Sequence, residues 1–152
     1  MSNTVSFHKI LQIKENEKKR AEQLHQQSIQ TFEKIALRMY EMLKKKEETE
    51  QAYEYHIQKT VQLEKMKQTV RYIEQLNGQI ARLQQQVNDA RNNMNHQQQL
   101  VTTAHMEMKK VEKLIEKRNE ESNQQLTREE NVFMDELSLQ QFLKRKLGES
   151  IV

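Results

Sequence analysis

Proline, cysteine and tryptophan are absent from the 152 residues, and glycine occurs twice, at Gly78 and Gly148. With so few breakers, nothing interrupts a helix over most of the chain, and the good helix formers Gln, Glu, Lys, Leu and Met fill it. The lack of cysteine excludes a disulfide framework, a thiolate nucleophile and a thiolate metal site. Hydrophobic residues make up 35% and aromatics 5%, too little for a thick three-dimensional core, so a narrow seam between helices is the alternative. No apolar run approaches the roughly 20 residues of a membrane span. The N-terminal MSNTVSFHKILQIKENEKK has no signal-type hydrophobic core and no small-residue cleavage site. The expectation is a cytoplasmic, soluble chain.

Enzyme chemistry is missing as well. Two distant glycines cannot build a phosphate-cradling loop. Of the five histidines, only His25 has a glutamate three residues before it, Glu22. That spacing occurs in di-iron bundles, which need a second such pair and further carboxylates; an exposed surface pair is the expectation here, with no metal and no cofactor. Catalysis also needs a concave, water-excluding pocket, which a two-helix rod does not offer, so an enzyme is excluded. The net charge of +3 comes from 25 basic and 22 acidic residues mixed along the chain. Such mixing marks a solvated helical surface, and stacking aromatics are scarce, so nucleic acid is not an expected partner.

What is present is a repeat. Ile73, Ile80, Val87, Met94, Val101, Met108 and Ile115 recur every seven residues, and Leu76, Leu83, Ala90, Gln97, Ala104, Val111 and Arg118 interleave with them. These are the a and d positions of a coiled coil, and a strict seven-residue period predicts a left-handed supercoil. Upstream, Phe7, Ile10, Leu11, Ala21, Leu24, Ile29, Phe32, Ile35, Ala36, Met39, Met42 and Leu43 form a broader stripe at helical spacing that drifts along the helix. Met39, Met94 and Met108 read as seam filling; Met106 and Met134 lie off the seam as docking candidates.

The stripe thins through KKKEETEQAYEYHIQKT and resumes at Leu63 and Met66, which fits a reversal near residues 57–63. Thr60 is a candidate cap for the second helix, with Glu64 in its first turn. If the chain folds back near residue 61, residue i lies opposite about 122 − i, because both arms rise ~1.5 Å per residue. Phe32 then meets Ala90, Met39 meets Leu83, Leu11 meets Val111 and Phe7 meets Ile115. The fold class is therefore all-α, a long two-helix antiparallel coiled coil or α-hairpin. It forms one coiled-coil domain over 1–152, with helices at about 5–58 and 62–145 and the part beyond about 120 extending past the pairing. A parallel homodimer of near-continuous helices is also permitted by the composition. Gly78 falls at position f, on the outer face, either as a tolerated exposed glycine or as a spot where a partner approaches the backbone. Beyond residue 119, Val132, Phe133, Leu137, Leu139, Phe142, Leu143 and Leu147 make a stripe that either docks on a partner or folds back on the hairpin end, with fraying expected at Gly148.

FHKILQIKENEK, YIEQLNGQIARL, KKVEKLIEKRNEE and FMDEL, in that order over nearly the whole chain, resemble the flagellar export protein FliJ family. The resemblance implies an antiparallel two-helix coiled coil similar to the central stalk of rotary ATPases. It implies a place in the cytoplasmic part of the flagellar type III export apparatus, peripheral to the cytoplasmic face of the cell membrane at the flagellar base. The implied partners are the export ATPase ring, the transmembrane export gate and export chaperones. The end carrying both termini, with Phe7, Ile10, Leu11 and Ile115, is implied to enter the ring. Tyr72, Ile73, Leu76 and Ile80 match the segment associated with the gate, with Gln79 and Leu83 on neighbouring faces, so that Tyr72, Leu76, Gln79 and Leu83 are the implied gate contact, and Gly78 lies beside it. Alone, the protein is expected to be a monomeric rod. The alternatives from other classes are a dimeric coiled-coil scaffold and a membrane-surface coiled coil, which needs a concentrated basic face that the charge balance argues against.

Overall fold

A computed structural model describes residues 2–59 and 62–151, with side chains over 5–59 and 62–148. Two helices account for almost all of it: α1, Ser2–Gln58, and α2, Leu63–Ile151. They pack against each other as an α-hairpin coiled coil, and there is no strand among the described residues. The Lys65 and Met66 amides donate to the Gln62 carbonyl (3.1 and 3.4 Å), so Gln62 accepts the first bonds of α2 as an N-cap residue does. Glu64 in the first turn of α2 and His56 in the last turn of α1 both suit the helix dipole. The capping role expected of Thr60 lies outside the described residues. At the far end α2 runs through Gly148. No glycine adopts the left-handed conformation that ends helices, so nothing in the backbone stops α2 there.

The chain divides into two packing units: residues 1–14 with 106–152, and residues 15–105. In the first, Lys14 Nζ pairs with Glu107 Oε2 at 3.1 Å and the Arg118 guanidinium lies 4.4 Å from the centre of the Phe7 ring. In the second, Arg91 lies 5.7 Å from the Phe32 ring. The paired residue numbers add to 121, 125 and 123, matching the fold-back geometry in which i faces about 122 − i.

Burial along α2 follows its apolar repeat. Leu76, Val87, Ala90, Met108 and Val111 are buried, and the intervening a and d residues from Ile73 to Ile115 are half-buried. Burial along α1 differs from the drifting stripe expected of it. One line of buried and half-buried positions steps by four and three without a slip: Phe7, Leu11, Lys14, Lys18, Ala21, His25, Ser28, Phe32, Ile35, Met39, Met42, Lys46, Thr49 and Tyr53. Ile29 and Ala36, each half-buried, flank that line. Ile10, Leu24 and Leu43 from the expected stripe are exposed. The period is 3.5 in both arms. It is masked in α1 because lysine, histidine, serine and threonine occupy much of the seam.

These polar residues are accommodated one by one. Each seam lysine lays its aliphatic stem along the seam and carries its amine to a carboxylate: Lys14 to Glu107, Lys18 to Glu22 at 3.8 Å and Lys46 to Glu50 at 3.9 Å. The Ser28 side chain, 4% exposed, donates to the His25 carbonyl. Threonines at 31, 49, 69, 102 and 127 donate to the carbonyl four residues back, so their hydroxyls are satisfied within their own helix.

Candidate functional site

The concavities described below are open clefts along the helix pair. Glu22 is engaged by Lys18, His25 is a seam residue, and no group of three or more His, Asp or Glu among the described residues has metal-holding geometry. The functional question therefore concerns surfaces.

The four residues implied for the gate contact, all in the 15–105 unit, do not share one environment. Tyr72 is 44% exposed and Gln79 is exposed, whereas Leu76 is 2% exposed and Leu83 is half-buried. A residue at d is turned into the opposing helix by the 3.5-residue period, and one at g flanks the seam. Leu76 and Leu83 therefore hold this stretch of α2 onto α1, while Tyr72 and Gln79 present it.

Two concavities lie along the same stretch. An open cleft of about 730 Å³ beside the turn is lined by Tyr53 and His56 from α1 and by Lys65, Met66 and Tyr72 from α2. A shallower groove of about 290 Å³ is lined by Arg38 and Met42 from α1 with Gln79, Arg82 and Leu83 from α2. The cleft exists because the seam turns polar near the turn, where Lys46, Thr49, Tyr53 and Thr69 replace large aliphatics and pack less closely. Sequence reasoning missed the α1 contributors Arg38, Met42, Tyr53 and His56. Tyr53 sits in the stretch that reads as a thinning of the stripe, and only its seven-residue spacing from Lys46 and Met39 signals that it faces α2.

Gly78 lies between these concavities on the outer face. A β-carbon there would meet nothing within 4 Å. Its carbonyl accepts a 3.4 Å bond from Arg82 Nε.

The residues implied for the ring end belong to the unit formed by 1–14 and 106–152. Phe7, Leu11 and Ile115 are half-buried in the seam and Ile10 is exposed. Arg118, at the next d position, covers the Phe7 ring and closes the seam with a cation–π contact. Among the remaining seam residues, Val87 and Met108 are buried, and Phe32, Met39, Ile73, Ile80, Met94 and Val101 are half-buried. Met106 and Met134 are both exposed. From Glu116 to Gly148 every side chain is exposed; the tail stripe does not fold back onto the hairpin.

The model of the family described as "Flagellar FliJ protein" matches residues 3–147. A curated relative of that name from Bacillus subtilis (strain 168) is 33% identical over 143 residues, which is 94% of this chain and 97% of the relative. No solved structure matches the chain.

Proposed function

Because the chain belongs to the flagellar FliJ protein family, we propose that it is a non-enzymatic component of the bacterial flagellar type III export apparatus. In that role it is a two-helix stalk that binds and stimulates the export ATPase ring, couples it to the transmembrane export gate and escorts export chaperones. The observation that carries this reading is the family match over residues 3–147, which takes in both packing units. The coiled coil is consistent with it, since packed helices present partner contacts along their surfaces without a pocket of their own. Among the described residues no helix is long and apolar enough to cross a membrane; the position that goes with the proposed role, and rests on the family alone, is peripheral, at the cytoplasmic face of the membrane at the flagellar base.

The ring-facing end comprises Phe7, Ile10, Leu11 and Ile115. Phe7, Leu11 and Ile115 supply the packing and Ile10 the exposed apolar surface. The gate-facing surface comprises Tyr72 and Gln79, backed by Leu76 and Leu83 and extended by the α1 residues Met42 and Tyr53 that share their concavities.

The test mixes the purified protein with the export ATPase of the same organism and measures hydrolysis. The protein alone hydrolyses no ATP, raises the rate of the ATPase several-fold, and loses that effect in Ile10→Asp, a substitution at an exposed position that leaves the seam intact. An ATPase that neither binds the protein nor responds to it overturns the proposal.

A further inference from the structure

Residues 126–147 of α2 lie beyond the last seam layer, and every side chain there is exposed. Val132, Leu139 and Leu143 share one helical face, with Phe133 at its edge. Charge is segregated along the same stretch. After Arg128 come Glu129, Glu130, Asp135 and Glu136; Lys144, Arg145 and Lys146 follow at the far end. A helix that is acidic at one end and basic at the other complements itself when turned end for end, which is the relation a twofold axis across the helix produces.

We propose that this segment pairs antiparallel with the same segment of a second copy of the chain. Setting residue i opposite about 275 − i brings Val132 to Leu143 and, on the same face, Glu129 to Lys146, each twice by symmetry. A parallel arrangement would instead set the carboxylates of 129–136 beside their own copies. The segment is roughly 33 Å long at 1.5 Å per residue. A helix pair of that length is only marginally stable, so the association is weak and depends on concentration. The pairing does not rest on the export reading.

The test is light scattering on the full chain from low to high micromolar concentration. The mass climbs from 18.3 kDa toward twice that value, while F133E/L143E stays at the single-chain mass with unchanged helical content. The chain has no cysteine of its own, so introduced thiols report the orientation. An equal mixture of Val132→Cys and Leu143→Cys proteins cross-links under mild oxidation, and Val132→Cys alone does not. A single-chain mass at every concentration overturns the proposal, and so does a dimer that survives F133E/L143E, since its interface lies elsewhere. Cross-linking of Val132→Cys alone shows a parallel pair and overturns the antiparallel one. A monomer whose F133E/L143E variant loses binding to the export ATPase overturns it too and assigns the stripe to that partner instead.

Discussion

The two arms of the hairpin keep the same period and differ in what they place on it. On α2 the a positions from Ile73 to Ile115 are all apolar, and the d positions up to Val111 are apolar except Gln97. On α1 the seam alternates in character: Phe7, Leu11, Ala21, Phe32, Ile35, Met39 and Met42 are apolar, whereas Lys14, Lys18, His25, Ser28, Lys46 and Thr49 are polar and Tyr53 is amphipathic. One regular apolar arm is therefore enough to hold a partner that is about half polar, provided the polar side chains have stems to bury or a local bond to make. The stability of the hairpin should accordingly reside more in α2 than in α1, and substitutions can break or sharpen that contrast.

The largest effect is expected from Leu76→Ala, because Leu76 is the most buried of the core hydrophobics. Truncating a buried leucine costs about 2–3 kcal/mol at a site that can partly collapse, read as a lower urea midpoint at unchanged slope. Leu11→Ala, at a half-buried seam position on α1, should cost visibly less; equal losses would erase the contrast between the arms.

Ser28→Leu comes next. Ser28 is 4% exposed, so the seam has closed around a small side chain, and a leucine there overpacks it at a cost of about 2 kcal/mol. A gain in thermal midpoint would show instead that α1 tolerates an apolar seam as readily as α2.

Gln97→Leu runs in the opposite direction. Gln97 donates to Asn93 Oδ1 at 3.4 Å, and its own Oε1 is buried without a hydrogen-bond partner. Removing an unsatisfied buried oxygen should stabilise the hairpin by roughly 1 kcal/mol. By the fold-back numbering His25 lies at the same level, so the two polar seam residues form one layer of the kind that fixes register in coiled coils. A broader unfolding transition in the Gln97→Leu protein, seen by circular dichroism, would report that loss of register.

The smallest effect belongs to Gly78→Ala, which places a methyl group in open space on the outer face. It should raise stability by roughly 0.5–1 kcal/mol. If the proposed gate partner approaches the backbone there, affinity for it falls at the same time; a stabilised variant with unchanged affinity removes that idea and leaves Gly78 as a tolerated surface glycine.

Much of the fold is legible in the order of the residues. The repeat from Ile73 onward follows from residue type and spacing, and the level of about 122 − i follows once the chain reverses near residue 61, a reversal that the composition left beside a parallel homodimer. The candidate surface is legible only in part. Tyr72, Leu76, Gln79 and Leu83 can be named from the sequence, but their division into presenting and packing residues depends on the opposing helix, as do the contributions of Arg38, Met42, Tyr53 and His56.

The sequence by itself determined that the chain is helical almost throughout, since it contains nothing to stop a helix, and that α2 carries a seam, since seven-residue apolar spacing has no other economical use. Tertiary structure decided that Lys14, Lys18, His25 and Ser28 line that seam and that the stripe after residue 126 does not fold back on the hairpin. The reason is physical. Hydropathy describes what a side chain prefers, whereas burial is set by where the period carries it and whether another helix lies opposite.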